Sequence, residues 1–320
     1  MIRTLKFGVR KRFVRLLDKN MKVINLISRW IAGPVVLYTV HNPYADNNHH
    51  RSQNNSSMNL GVAILLQGPV DQNPKATLRT VNLYRAQWPN IPVVVSTWVK
   101  SDKNILASLK NLGAHIQLNE IPTYSGISNS NYQIVSTMGG LQYIKGLGLN
   151  FTLKSRVDQC LFNSRSIFLL KQMLQEYGDR IVTTDFNSFL FRLFSPNDQL
   201  MFSRTEILEE FWSAAAQQGN KLEAVPGPVE SKFLISFLQS KGMLLQQDLL
   251  SSLSVYRDHY AFINYEDLDL VWNKGSFRNL RSRFPQENYP SNISFVRNLD
   301  WLNLQKSLDP YLQDFKRIRD

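Results

Sequence analysis

Short apolar segments alternate with segments of helical periodicity from residue 62 onward. Residues 62–66 and 91–95 are apolar on both faces, which is typical of buried parallel strands. Each is followed by a polar loop and a helical pattern, and a third strand is predicted at 115–118. Repeated strand–loop–helix units favour a mostly parallel sheet with right-handed crossovers and flanking helices. The predicted fold class is therefore α/β.

Residues 151–158 depart from this apolar pattern because they alternate strictly. Phe151, Leu153, Ser155 and Val157 fall on one face of the predicted strand, and the other face carries the polar set Thr152, Lys154, Arg156 and Asp158. Burying unpaired charge costs several kcal/mol, about 2–7 even for neutral polar groups. The charged face is therefore expected to meet a cleft, an anionic ligand or its own ion pairs. An edge strand with one solvated face is the alternative.

The second half of the predicted body is less regular. A helix is predicted at about 131–145 and another before Gly178, followed by strands at 181–184 and 189–194. Ser203 and Glu206 have the spacing of a capping box. A helix is predicted to begin after Pro228 with Glu230 in its first turn, where the helix dipole favours a carboxylate. A strand near 262–265 and a short charged C-terminal helix complete the prediction.

Positive charge is concentrated at the N-terminus. Residues 1–57 hold ten Lys or Arg against two Asp, so +8 of the formal net charge of +12 lies there. Residues 1–31 combine this charge with apolar positions at helical spacing, which favours either an amphipathic helix on an anionic membrane or a helix packed on the body. Residues 41–58 form a polar linker. We therefore predict a basic N-terminal extension at 1–57 and one catalytic domain at 58–320.

Composition excludes several classes of protein. Hydrophobic residues make up 43% of the chain and charged residues 19%, which argues for a globular core and against disorder. One cysteine, Cys160, permits no intrachain disulfide or cysteine-based zinc site, and the histidines lack metal-ligand spacing. No motif indicates nucleic-acid binding, and no secretory signal is recognisable. The expected location is the cytoplasm, either free or peripheral on the cytoplasmic face of the membrane.

Four motifs in order resemble the WavE family of lipopolysaccharide-synthesis proteins. They are Gln67-Gly68-Pro69-x-Asp71, Ser96-Thr97-Trp98, Gln133-Ile-Val-Ser-Thr137-x-x-Gly140-Leu141 and Leu153-Lys154-x-Arg156-x-Asp158. The chain departs from the family at Tyr132, where the family tends to have Arg. The resemblance spans about residues 60–270 and implies a glycosyltransferase fold of the GT-A type.

The resemblance also implies roles for individual residues. Nucleotide binding is expected from Gln67, Gly68, Asp71, Thr97 and Gln133, and neutralisation of the diphosphate from Lys154 and Arg156. Asp158 is the candidate ligand of a divalent cation, Mn²⁺ or Mg²⁺, because such ions bind oxygen and can share one carboxylate with substrate phosphates. A structural ion pair of Arg156 with Asp158 or Asp185 is the alternative. Glu230 is the first candidate for the catalytic base and Asp198 the second.

The resulting hypothesis is a glycosyltransferase that moves a sugar from a nucleotide sugar to a glycan or lipid-linked acceptor in lipopolysaccharide or surface-polysaccharide synthesis. Two other classes stay open. A sugar-phosphate nucleotidyltransferase would usually carry a glycine-rich basic loop after the first strand, and residues 67–72 contain one Gly and no Lys or Arg. A degenerate, non-enzymatic binder of glycan or lipid is compatible with the single carboxylate of Arg156-Val157-Asp158.

Overall fold

The structure is a computed structural model that describes residues 61–272 and 295–319. The strands in this part of the chain are β1 Val62–Gln67, β2 Val93–Trp98, β3 His115–Asn119, β4 Phe151–Arg156, β5 Gln159–Leu161, β6 Ile181–Thr184, β7 Met201–Arg204, β8 Tyr260–Ile263 and β9 Leu270–Trp272. The α-helices are α1 Pro74–Gln87, α2 Lys103–Asn111, α3 Ser130–Gly146, α4 Ser166–Tyr177, α5 Thr205–Gln218, α6 Val229–Ser240, α7 Leu249–His259, α8 Asn298–Leu304 and α9 Asp309–Arg319.

Seven of the described strands form one sheet in the order β3-β2-β1-β4-β7-β6-β8. Strands β1 to β4 run parallel, and β6 pairs in parallel with β8. Strand β7 is antiparallel to both of its neighbours, β4 and β6. The predicted mostly parallel α/β sheet is confirmed, and β5 and β9 form a separate two-stranded sheet.

The charged strand β4 lies in the middle of this sheet, so the edge-strand alternative is wrong. Lys154 is paired in register with Leu65 of β1 on one side and with Met201 of β7 on the other. A central strand has neighbours on both sides and helices on both faces, which removes most of its side chains from water. The charges of β4 must therefore be satisfied within the protein or by a ligand.

Most elements predicted for the first half of the described chain are confirmed, and local side-chain chemistry explains where the helices begin and end. Asn73 caps α1 by accepting from the Ala76 amide at 3.3 Å, and Pro74 occupies the first helical position. Asp102 caps α2, with its carboxylate 2.7 Å from the Asn104 amide nitrogen. Gly113 follows α2 with a φ of 85°, a conformation that glycine adopts without strain.

Helix α3 packs closely on the sheet through Gly140. A Cβ atom at this position would lie 2.2 Å from Leu65 Cδ1 and 3.1 Å from Ser96 Cβ, on β1 and β2. The small side chains on this face of α3 therefore allow the helix to pack closely on the sheet. We expect Gly140→Ala to lower the free energy of unfolding by about 1–3 kcal/mol, despite the higher helix propensity of alanine.

Urea denaturation measures this effect, and Gly146→Ala in the last turn of the same helix is the matched control. An added Cβ at Gly146 meets no atom within 4 Å. Equal stabilities of the two variants would contradict the close packing of Gly140.

Two predictions in the second half are wrong. Residues 189–194 form no strand; Phe189 makes an isolated bridge to Phe295, and Phe194 has a φ of 53°. The aromatic side chains are buried from an irregular segment whose backbone is satisfied by side chains, such as Ser252 Oγ, which accepts from the Phe194 amide at 2.8 Å. The capping box is also wrong, because Ser203 belongs to β7 and its Oγ donates to the Arg180 carbonyl at 2.8 Å.

Helix α8, which precedes the last helix of the chain, belongs to the core. Trp301 and Leu304 are fully buried, and the Trp301 indole N–H donates to the Tyr256 carbonyl at 3.1 Å. Asn298 extends this contact to β8, because its Nδ2 donates to the Phe262 carbonyl at 2.6 Å.

Some sequence predictions lie outside the described residues. These are the basic helix at 1–31, the linker at 41–58 and the basic segment at 278–283. Within 61–272 and 295–319, no helix combines the length and apolar character needed to cross a membrane.

Candidate functional site

The carboxyl ends of three parallel strands meet where the sequence motifs lie. Gln67 at the end of β1 is in register with Ser96 of β2 and with Arg156 of β4. In open α/β sheets, ligands bind beyond the carboxyl ends of the strands. The fold thus gathers residues of three sequence motifs at the edge where such a ligand would bind.

Arg156 and Asp158 form a bidentate ion pair at the end of β4. Arg156 Nε lies 2.8 Å from Asp158 Oδ1, and Nη2 lies 3.0 Å from Oδ2. The two side chains keep 21% and 12% of their surface exposed. Burial disfavours the charged carboxylate, but the charge and hydrogen bonds of Arg156 outweigh it, so the pKa of Asp158 lies below its usual range. The pair is therefore ionised and reaches solvent at one side.

The Trp272 ring lies beside this pair. The Arg156 guanidinium carbon is 5.7 Å from the ring centroid, within the range of a cation–π contact. Trp272 ends β9, whose partner β5 begins one residue after Asp158. The small sheet therefore fixes one wall beside Arg156.

Lys154 is fully buried behind the pair. Its Nζ donates to the backbone carbonyl of Asp198 and lies 4.6 Å from the Trp212 ring centroid on α5. Burial lowers the pKa of Lys154 to about 7, with the charge of Asp198 acting in the opposite direction. Lys154 thus ties the segment that carries Asp198 to the centre of the sheet.

A buried polar network holds the same segment from the other side. Asn197 Nδ2 donates to Thr184 Oγ1 at 2.8 Å, and Asn197 Oδ1 accepts from the Gln199 amide at 2.7 Å. Gln199 Oε1 accepts from Gln159 Nε2 at 3.0 Å. Sequence reasoning missed Asn197, Gln199 and Gln159, and no spacing signal relates residues that lie 40 positions apart.

Two predicted nucleotide-binding side chains are engaged within the protein. Gln67 Oε1 accepts from Ser136 Oγ of α3 at 2.8 Å, and the Gln67 side chain is buried. Thr97 is fully buried, with its Oγ1 3.1 Å from Ser101 Oγ. Gln67 thus joins the end of β1 to α3, and Thr97 joins β2 to the loop that follows it; the binding role of both residues stays a prediction.

Of the other predicted binding residues, Gly68 is buried, Gln133 is half-buried and Asp71 is exposed. Gly68 has a φ of 126°, and a Cβ there would lie 3.3 Å from Val157 Cγ2, so a side chain would be strained and crowded. Asp71 is exposed, and its Oδ1 accepts from the Asp102 amide at 2.9 Å. Gln133 is half-buried in the first turn of α3, and its Nε2 donates to the Ser128 carbonyl at 3.5 Å.

An aromatic pair at this edge was not predicted as a unit. Trp98 ends β2, and Tyr132 lies in the first turn of α3, which begins at Ser130. Their ring centroids are 5.6 Å apart in an edge-to-face arrangement. Tyr132 is half-buried in this pair.

The two candidate base residues both involve the segment 185–200. Asp198 lies within it, and Glu230 contacts it through Asn187. Glu230 lies half-buried in the first turn of α6, and its Oε1 accepts from Asn187 Nδ2 at 3.3 Å. Asp198 is almost completely buried, and its negative charge acts on both Lys154 and Arg156. The structure leaves both assignments as predictions.

The donor set is poorly suited to a metal held by the protein alone. Within 61–272 and 295–319, no three His, Cys, Asp or Glu residues lie close enough together to hold an ion. Both oxygens of Asp158, the predicted ligand, already accept from Arg156. A divalent ion on this carboxylate would stand next to a guanidinium, and like charges repel at such distances. The residues present do not fit the expected cation, and Asp158 as its ligand stays a prediction.

The fold and the strand-end cluster define a class: a mostly parallel α/β protein with an ionised, partly exposed pair where such sheets bind ligands. The sequence model of the family described as WavE lipopolysaccharide synthesis matches residues 62–282. The chain belongs to this family, which confirms the resemblance drawn from its four motifs. No curated protein matches the chain.

Several solved structures are similar to the chain at low identity. A galactosyltransferase, LgtC, in complex with donor and acceptor sugar analogues shares 11% identity over 54% of this chain and 69% of its own, with a TM-score of 0.38. The core-mannan synthase A of Aspergillus fumigatus in its Mn/GDP form shares 8% identity, and the match covers 80% of this chain and 87% of the synthase, with a TM-score of 0.39. A 4-diphosphocytidyl-2C-methyl-D-erythritol synthase shares 12% identity, and the match covers 71% of this chain and 94% of the synthase, with a TM-score of 0.37. These likenesses are too weak to assign a role to any residue.

Proposed function

We propose that this protein is a glycosyltransferase that moves a sugar from a nucleotide-sugar donor to a glycan or lipid-linked acceptor in lipopolysaccharide or surface-polysaccharide synthesis. One observation carries the proposal: an ionised Arg–Asp pair that stays partly exposed at the carboxyl end of the central strand β4. Family membership supports the pathway.

Arg156 is proposed to stabilise the diphosphate leaving group. When the acceptor hydroxyl attacks the sugar's anomeric carbon, the bond from that carbon to the diphosphate oxygen breaks, and negative charge develops on the diphosphate. A guanidinium presents planar, bidentate donors that suit phosphate oxygens. Arg156 is the partly exposed cation at this strand end, whereas Lys154 is buried behind it.

The acceptor hydroxyl must lose its proton as it attacks. We assign Glu230 as the base that accepts this proton. Its carboxylate is half-buried in the first turn of α6 and is held by the hydrogen bond from Asn187. Asp198 is the second choice, because its side chain is more deeply buried. The basic segment 1–31 is proposed to hold the enzyme on the cytoplasmic face of an anionic membrane, where lipid-linked acceptors are available.

Nucleotide-sugar binding and transfer test the proposal. A true donor at 100 times its Kd is expected to raise the free energy of unfolding by about 2.7 kcal/mol. Glu230→Gln is expected to keep this stabilisation and to lose about 10²–10⁴-fold of the transfer rate, because only the proton transfer is removed. Thermal shift over a panel of nucleotide sugars and a transfer assay with lipid-linked acceptor measure the two effects.

Glu206→Gln is the matched control, because Glu206 is an exposed carboxylate in the first turn of α5. It shares the dipole effect of Glu230 without the contact to Asn187. Pyrophosphate release from a sugar phosphate and a nucleoside triphosphate would instead identify a nucleotidyltransferase. Glycan or lipid binding with no nucleotide binding would identify a binder.

A further inference from the structure

The carboxylate at the end of β4 has a cation already attached to it. Arg156 meets Asp158 through two hydrogen bonds of 2.8 and 3.0 Å. Only 12% of the Asp158 side chain is exposed, so this is not a loose surface pair. The arrangement places a positive group at the carboxylate position that was expected to hold a metal.

The guanidinium retains capacity for a second anion. Arg has five N–H donors, and the Asp158 contact uses one on Nε and one on Nη2. The 21% exposure of Arg156 shows that its side chain reaches the surface of the site. The Trp272 ring on one side and Asp158 on the other restrict its orientation. A fixed fork of this kind can donate to two phosphate oxygens together.

The alternative source of positive charge on this strand is not accessible. Lys154 lies on the same face of β4, one alternation earlier, but it is fully buried and donates to the Asp198 carbonyl. It cannot reach a diphosphate without leaving that bond. Arg156 is therefore the cation of β4 that can contact a diphosphate directly, and Lys154 supports the segment behind it.

We infer that the Arg156 guanidinium, held by Asp158, replaces a divalent cation at the diphosphate site, so that the protein binds a nucleoside diphosphate without metal. The inference rests on the proposed function and specifies its cofactor requirement. Asp158 is then a positioning residue that orients Arg156, and the dependence on a metal that the family resemblance implied is absent.

Calorimetric titration of the full-length protein with UDP, GDP, ADP, CDP and dTDP tests the inference, once in EDTA and once in excess Mn²⁺. The bound nucleotide is expected to have the same Kd in both buffers, within about threefold. Electron paramagnetic resonance of Mn²⁺ with the wild-type protein is expected to show no ion held by the protein. These two readouts need no variant and no transfer activity.

Variants then assign the contact. Arg156→Lys is expected to weaken binding by about tenfold or more in both buffers, because charged hydrogen bonds and the fork geometry are lost. Asp158→Asn is expected to keep metal-independent binding, weakened because the guanidinium is less well oriented. Arg257→Lys is the matched control, since Arg257 forms a similar bidentate pair with Asp258 at 2.7 and 2.9 Å, but exposed on α7. Circular dichroism confirms that each variant is folded.

The outcomes separate the inference from the proposed function. Binding that requires Mn²⁺ and disappears in Asp158→Asn overturns the inference and leaves the glycosyltransferase proposal in place, with Asp158 as metal ligand. Binding unchanged by Arg156→Lys also overturns the inference. The absence of binding by every nucleotide in both buffers overturns the inference and the proposed function together.

Discussion

Replacing Lys154 by Met is expected to remove a rise in stability between about pH 7 and pH 10. In the unfolded chain the lysine pKa is near 10.5, whereas burial lowers it to about 7 in the fold. Between these values the unfolded chain binds more protons than the native protein, so stability increases with pH. As pH falls through the folded pKa, this contribution is lost. The full difference corresponds to about 5 kcal/mol as an upper estimate.

Urea denaturation at several pH values measures this contribution. The free energy of unfolding of the wild type, minus that of Lys154→Met, is expected to rise by up to about 1.4 kcal/mol for each pH unit above 7. Lys241→Met is the control, because Lys241 is an exposed lysine paired with Glu210. Parallel pH profiles for the wild type and Lys154→Met would show that Lys154 keeps an ordinary pKa.

Replacing Trp301 by Ala is expected to lower the free energy of unfolding by about 3–5 kcal/mol. The indole is fully buried, its ring centroid lies 4.7 Å from that of Tyr177 in an edge-to-face contact, and its N–H donates to the Tyr256 carbonyl. Truncation leaves a cavity and an unpaired carbonyl. The effect is notable because Trp301 lies beyond residue 282, where the match to the family ends.

Urea denaturation measures the change, with far-ultraviolet circular dichroism as the probe because it reports on the backbone and does not depend on Trp301 fluorescence. Leu299→Ala is the matched control in the same helix, because Leu299 is 67% exposed and its truncation is expected to cost less than about 0.5 kcal/mol. If both variants unfold at the same urea concentration, helix α8 is not part of the cooperative unit. A large difference makes residues 295–304 part of the folded domain.

The outcome for β4 shows how sequence and structure contribute to the candidate site. The alternation of residues 151–158 was sufficient to predict a strand with one charged face. It could not distinguish a ligand from internal partners, because the presence of Arg156 and Asp158 on one face does not show whether their side chains turn toward each other. The Arg156–Asp158 alternative that the sequence left open is present, and Asp185 pairs instead with Arg297, whose Nη1 lies 2.6 Å from Asp185 Oδ2.

The errors in the second half have a related cause. Residues 189–194 are aromatic and β-prone, yet they pack as an irregular segment because side-chain hydroxyls and amides satisfy their backbone. Strand β7, Met201–Arg204, was not predicted because Ser203 was assigned to the cap of the following helix. Its antiparallel insertion between β4 and β6 nevertheless makes β4 central.

The sequence by itself determined the parallel half of the sheet, its helices and the family, because buried parallel strands and helix caps are encoded by neighbouring residues. It also predicted the edge at which the candidate site lies, since motifs that follow consecutive parallel strands must meet there. Only the tertiary structure decided which charges remain accessible. The burial of Lys154 depends on its contact with Asp198, 44 positions away, which no local pattern shows. Arg156 and Asp158 are two residues apart, and the structure shows that they pair with each other and stay partly exposed at the site.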